Sequence, residues 1–197
     1  MRGDTEVHLA PFLFYDEPEG IRFDDGYMIH LALLRPKSRG SIRLSSTDVN
    51  AAPEIRFNFL SEEEDLASFR DGIRRIREIT STGELARLTL RERAPGDATS
   101  DSDLDDFVRR NVETEFHPCG TCKMGIDRLS VVDPELRVHQ VENLRVVDAS
   151  VMPLVPSANL NAPTRRIAER AADLILGHTN NQGGVQQRSA SMEFRLD

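Results

Sequence analysis

The sequence predicts an α+β chain, and three observations carry that expectation. Short β-prone runs occupy residues 7–15, 27–34 and 41–44. Helical periodicity begins only after residue 61 and recurs twice more. Strands first and helices afterwards is the order of an α+β fold rather than of alternating βαβ units. The last amphipathic run stops at Gly177, beyond which apolar residues become sparse.

Residues 7–15 combine Val, Leu, Phe and Tyr, but Pro11 cannot donate to a ladder and marks an edge strand or a bulge. Residues 16–26 are acidic and contain Pro18, Gly20 and Gly26, which reads as a loop. Residues 27–34 form an apolar strand. A turn at 36–40 sends the chain back through 41–44, where Ile42 and Leu44 alternate. The two runs together read as an antiparallel hairpin with a longer loop.

Ser61 followed by Glu62, Glu63 and Glu64 reads as a capping box that sets acidic groups at the positive end of a helix. Leu66, Phe69, Ile73, Ile76 and Thr80 then mark the buried face of a helix over 62–79. Arg74, Arg75 and Arg77 fall on its other side. Residues 94–102 are a loop, with Ser102 as the cap of a second helix bearing Leu104, Phe107, Val108 and Val112 on one face. Residues 144–147 read as a short strand. Asn161 is the expected N-cap of a third helix, with Pro163 just inside its start and Gly177 as its stop. Its buried stripe is Ile167, Ala171, Leu174 and Ile175. Residues 178–197, rich in Asn, Gln, Gly and Ser, read as a disordered tail.

Composition excludes several classes of function. A net charge of −8, with no basic stripe interleaved with aromatics, excludes nucleic acid as a partner. No run approaches the roughly 18 apolar residues of a membrane-spanning helix. Met1-Arg2-Gly3-Asp4 does not open a signal peptide, so the expectation is a soluble, cytoplasmic protein. Two cysteines are too few for a disulfide framework.

The chemistry gathers in residues 116–176. His117 stands in a Gly/Pro-rich turn, followed by the apolar 144–147 run, by Asp148-Ala149-Ser150, and by a loop carrying Asn159 and Asn161 into a helix. One base, a group of small polar side chains and a helix N-terminus suit proton abstraction beside an anionic or polarised ligand. An unperturbed imidazole titrates near pH 6.5, so a neutral His is available as a base at physiological pH. An Asn can hydrogen-bond a substrate oxygen without competing for its proton.

These residues also carry a resemblance. The order H-P-C-G-T-C-K-M-G at 117–125, V-V-D-P at 131–134, L-R-V-V-D-A-S-V-M-P at 144–153, N-L-N-A-P-T at 159–164 and A-E-R-A-A-D-L-I at 168–175 resembles the C-terminal signature of the glucose–methanol–choline (GMC) oxidoreductases, choline-dehydrogenase-like members above all. Leu34-Arg35-Pro36-Lys37-Ser38-Arg39-Gly40-Ser41-Ile42, Ala51-Ala52-Pro53 and Phe59-Leu60-Ser61 are similar to the family's substrate domain. The resemblance implies an antiparallel sheet flanked by helices over 1–113. It also implies a catalytic segment over 114–177 that packs back on an FAD domain.

It further implies FAD-dependent oxidation of a small alcohol to an aldehyde or ketone by hydride transfer to the flavin. His117 would be the base and Asn159 its partner. Asp148, Ala149, Asn159, Ala162, Pro163 and Thr164 match positions near the flavin. No metal is implied. None of the 12 glycines forms the G-x-G-x-x-G loop that holds a dinucleotide pyrophosphate. FAD is therefore not expected to bind this chain alone, and a separate FAD-binding chain is a possible partner. Thr164-Arg165-Arg166-Ile167 departs from the family's apolar pattern, since two guanidinium groups buried beside a flavin would cost several kcal/mol.

Two further functions stay open at this point. One is a non-catalytic remnant or binding module without cofactor. The other is a thiol or metal-binding protein through Cys119 and Cys122, with His117 or His139. No second C-x-x-C completes a zinc site, and in the family residue 122 is a packing position.

Overall fold

The computed structural model describes residues 5–178. Its strands come as three antiparallel pairs. β1 (Thr5–Ala10) pairs with β4 (Met28–Leu33), Val7 opposite Leu31. Between them β2 (Leu13–Glu17) and β3 (Gly20–Asp24) form a hairpin of their own. β5 (Ser41–Arg43) pairs with β6 (Glu54–Arg56), Ile42 opposite Ile55.

Two expectations change here. Residues 16–26 are not a loop but complete the β2–β3 hairpin, in which Phe14 faces Phe23 and Phe12 meets Phe23 edge-on at 6.1 Å. Residues 41–44 do not return against 27–34. The close approach of Gly40 explains why: a Cβ there would overlap the Arg56 and Phe57 carbonyls, so the chain leaving the turn is pressed onto β6. β4 is thereby left to β1.

The helices are α1 (Glu63–Thr80), the short α2 (Gly83–Leu88), α3 (Asp101–Asn111) and α4 (Asn161–Leu176). Leu66 and Ile73 of α1 pack on Leu104 and Val108 of α3, with Leu31 of β4, Phe69 and Phe107 around them. α1 lies directly on β4 because Gly72 has no side chain: a Cβ there would overlap Leu31. Arg70 binds the two helices together, donating to Asp105 at 2.6 Å and to Glu63 at 2.8 Å. Arg77 is not on a solvated face as its position in the periodicity implied. It reaches across to Glu92 and donates to the Ala98 carbonyl at 2.8 Å, holding the 92–98 loop.

Each expected N-cap moves by one or two residues. Ser61 does not cap α1; Glu62 stands there without a side-chain bond, and its N–H donates to the Ser38 hydroxyl at 3.2 Å. The turn at 36–40 thus does the capping. Ser100, not Ser102, caps α3, and Asp103 completes its capping box. Leu160, not Asn161, precedes α4; it is buried, already in the helical region, and its carbonyl accepts from the Thr164 N–H and hydroxyl. Gly177 ends α4 in the left-handed conformation, as expected.

A second core holds Val132, Leu136, Val151 and Ala171, with Met124, Val146, Val147 and Ile167 against it. Residues 144–147 form no regular strand. They pair only locally with 136–138 across a turn in which Gln140 and Asn143 are left-handed. Ile175 faces solvent instead of completing the α4 stripe. The expected tail lies outside the described residues save for His178. Among the described residues no helix is long and apolar enough to cross a membrane.

Candidate active site

His117 follows α3 by a short extended stretch and is half-buried. Phe116 before it is left-handed, φ 58°, with its ring 85% exposed. That conformation costs an aromatic L-residue on the order of 1 kcal/mol or more. Pro118 after it disfavours a helical conformation at His117. Neither the His117 ring nor the Asn159 amide hydrogen-bonds another described residue.

The segment after His117 is pinned to the Asp148 region. The Cys122 N–H donates to the Ser150 carbonyl at 3.0 Å and the Met124 N–H to the Val151 carbonyl at 2.8 Å. Gly120, φ 87°, allows this approach, since a Cβ there would sit 3.2 Å from the Met152 carbonyl oxygen. Asp148 accepts the Ser150 N–H at 2.7 Å and so starts a single 3₁₀ turn, Ala149–Val151. The structure therefore joins His117's segment to Asp148 and Ala149. Asn159 stands exposed beside buried Leu160 at the start of α4, and among the described residues no hydrogen bond links it to His117.

Sequence reasoning missed the residues that tie this region to the first core. Arg35 donates from Nε to the Ser157 hydroxyl at 3.0 Å, fixing the loop that carries Asn159. Arg39 lies near Cys119: burial pushes the Cys119 thiol up, against the pull of that guanidinium. Asp65, buried in the first turn of α1, takes the N–H groups of Lys37 and Ser38 and so anchors the turn between Arg35 and Arg39. Its signal was hidden in an acidic run, where one carboxylate looks like the next.

Cys119 and Cys122 are free and half-buried. Among the described residues no three His, Cys, Asp or Glu gather as metal ligands, and His139 pairs instead with the Gly125 carbonyl at 3.1 Å.

A large polar cofactor meets a compatible donor set here. The first turn of α4 contains no carboxylate, and Asn161 and Ala162 present their N–H groups at an exposed helix N-terminus. Pro163 and Thr164 in the same turn are half-buried, as is Ala149 of the 3₁₀ turn, and Asp148 is exposed. The Ser150 hydroxyl is buried with no partner. A helix N-terminus without a carboxylate and a buried unpaired hydroxyl are chemically compatible with the anionic and polar groups of a flavin nucleotide. Arg165 and Arg166 are exposed, and Arg166 pairs with Glu169 at 3.2 Å, so neither carries a burial cost in this chain.

The family profile described as GMC oxidoreductase matches residues 36–168. An oxygen-dependent choline dehydrogenase of Klebsiella pneumoniae subsp. pneumoniae is 51% identical over 176 residues, covering 88% of this chain and 32% of the relative. The oxygen-dependent choline dehydrogenase of Chromohalobacter salexigens is 49% identical over 175 residues, with 88% and 31% covered. Among solved structures, pyridoxine 4-oxidase from Mesorbium loti aligns with a TM-score of 0.73 and 38% identity over 78% of this chain and 30% of that one. A formate oxidase of Aspergillus oryzae RIB40, studied for FAD modification, aligns with a TM-score of 0.69 and 31% identity over 83% and 28%. The chain belongs to the GMC oxidoreductase family. It spans about a third of the length of the curated relatives it matches.

Proposed function

We propose that this chain supplies the substrate-side half of an alcohol-oxidising site, with the FAD-binding region supplied in the same or a separate polypeptide. The observation that carries this reading is the pairing of Cys122 with Ser150 and of Met124 with Val151, which sets the His117 segment beside Asp148 and Ala149. FAD, when bound, supplies the acceptor for the carbon-bound hydride. The neutral His117 imidazole takes the hydroxyl proton of the alcohol. The Asn159 amide donates a hydrogen bond to the same oxygen and stabilises its alkoxide character. Among the described residues both side chains are free of competing hydrogen bonds, which suits groups that act on a ligand.

The test is steady-state alcohol oxidation with the FAD-binding region supplied in cis or in trans. His117→Ala should lower turnover by roughly 10² to 10⁴. Unchanged turnover removes His117 from the base role.

A non-catalytic binding module is the second reading, favoured by the solvated Arg165 and Arg166 in the first turns of α4. A thiol-exchange role draws less support, since a thiol pushed up by burial is poorly ionised at neutral pH.

A further inference from the structure

We propose that Thr114 is a positioning residue for His117, acting through the backbone of Phe116; the proposal rests on His117 being the general base. The Thr114 hydroxyl oxygen accepts the Phe116 N–H at 3.0 Å, a side-chain turn of the i, i+2 kind. Phe116 is left-handed, which an aromatic residue rarely adopts without restraint. Its ring does not provide that restraint, being almost wholly in solvent.

The rest of the stretch offers no substitute. The Val112 N–H closes α3 on the Val108 carbonyl, and the next backbone N–H bonded to another segment is that of Cys122. Among the described residues, the hydroxyl of Thr114 is the one hydrogen-bond acceptor that a backbone N–H of residues 113–121 finds. Thr114 therefore fixes the turn on one side of His117, and Pro118 restrains the other. Between these restraints Phe116 points outward and His117 stays half-buried. Among the described residues the imidazole has no hydrogen bond of its own, so the backbone on either side limits where the ring can point. A base must hold its nitrogen within hydrogen-bond reach of the proton it takes, so a device that aims the ring bears on catalysis.

The test uses the full chain, isotope-labelled, with two nuclear magnetic resonance readouts: hydrogen exchange of the Phe116 amide and the Cε1–Hε1 signal of the His117 ring. Thr114→Val, which keeps the shape and removes the acceptor, should speed exchange of the Phe116 amide by about 10-fold. It should also displace the His117 ring signal while leaving that of His139 in place. Thr114→Ser should keep both wild-type readouts. In the Thr114→Val background, Phe116→Gly should return the His117 signal, because glycine accepts a positive φ without a Cβ penalty.

An unmoved His117 signal in Thr114→Val overturns the proposal. So does a displaced signal in Thr114→Ser, which would assign the effect to methyl packing. A general loss of signals in Thr114→Val that Phe116→Gly does not reverse overturns it as well. These readouts involve no turnover, so they separate from the base assignment. Full alcohol oxidation by His117→Ala would remove the base role and leave the link between Thr114 and the ring as geometry alone.

Discussion

Asp65, in the first turn of α1, accepts the backbone N–H groups of Lys37 at 2.7 Å and Ser38 at 2.8 Å, together with the Ser38 hydroxyl. One buried carboxylate thereby fixes the turn from which Arg35 reaches the loop of Asn159, while the Arg39 guanidinium folds back onto the Pro36 and Lys37 carbonyls. The candidate site is assembled through this turn as much as through its own segments.

Replacing Asp65 by Ala should cost about 2–4 kcal/mol, because buried donors lose a charged acceptor. The effect should depend on pH. Burial works to raise the carboxyl of Asp65, but the hydrogen bonds from Lys37 and Ser38 outweigh it and hold the group below its ordinary 3.8. The unfolded chain then binds the proton more readily. The stabilisation is present in full above the unfolded value and is lost as pH falls through the folded one. Urea melts of the wild type and Asp65→Asn should differ most near neutral pH and converge in strong acid. A constant difference across that range would contradict the assignment.

Ile73 and Arg74 are neighbours in α1 with opposite surroundings. Ile73→Ala should destabilise by about 2–5 kcal/mol as a large-to-small change in the first core. Arg74 forms an exposed pair with Asp101, so Arg74→Ala should stay within about 1 kcal/mol. Equal shifts of the urea midpoints would mean that the buried face of α1 is misassigned.

Ser100 and Ser102 separate a working cap from an apparent one. Ser100→Ala should cost about 0.5–2 kcal/mol and Ser102→Ala much less. Thermal melts giving the reverse order would restore Ser102 as the cap.

These comparisons also show what the sequence could reveal. The three long helices were legible because Leu66 and Ile73, Leu104 and Val108, and Ile167 and Ala171 repeat at helical spacing, whereas the short α2 was not read. Caps were less legible, since Ser100 and Ser102 carry the same side chain and only backbone geometry chooses between them. Strand pairing was hidden: Ile42 pairs with Ile55 because Gly40 meets Arg56, a contact that alternation cannot encode. In the hairpin, the alternation of Ile21 and Phe23 was masked by the glycines and acids around it. At the candidate site, the approach of the His117 segment to the Asp148 region was legible through their motifs. The roles of Asp65, Arg35 and Thr114 were not, because each acts through a backbone group or a distant loop.

Purified without added flavin, the chain should release no FAD on denaturation. On the proposed reading the residues matching flavin neighbours would reach only one side of the cofactor, and ligand sites usually bury about 70–90% of their ligand. Fluorescence of the denatured supernatant gives the answer. Stoichiometric FAD would show a complete cofactor site within these residues.

The most direct test of the central claim is the rate of flavin reduction by an alcohol under anaerobic conditions, followed by flavin bleaching, with the FAD-binding region supplied. His117→Ala and Asn159→Ala should both retain the flavin spectrum. His117→Ala should bleach more slowly by roughly 10² or more, and Asn159→Ala should also slow. Bleaching of the His117→Ala protein at the wild-type rate would contradict the account.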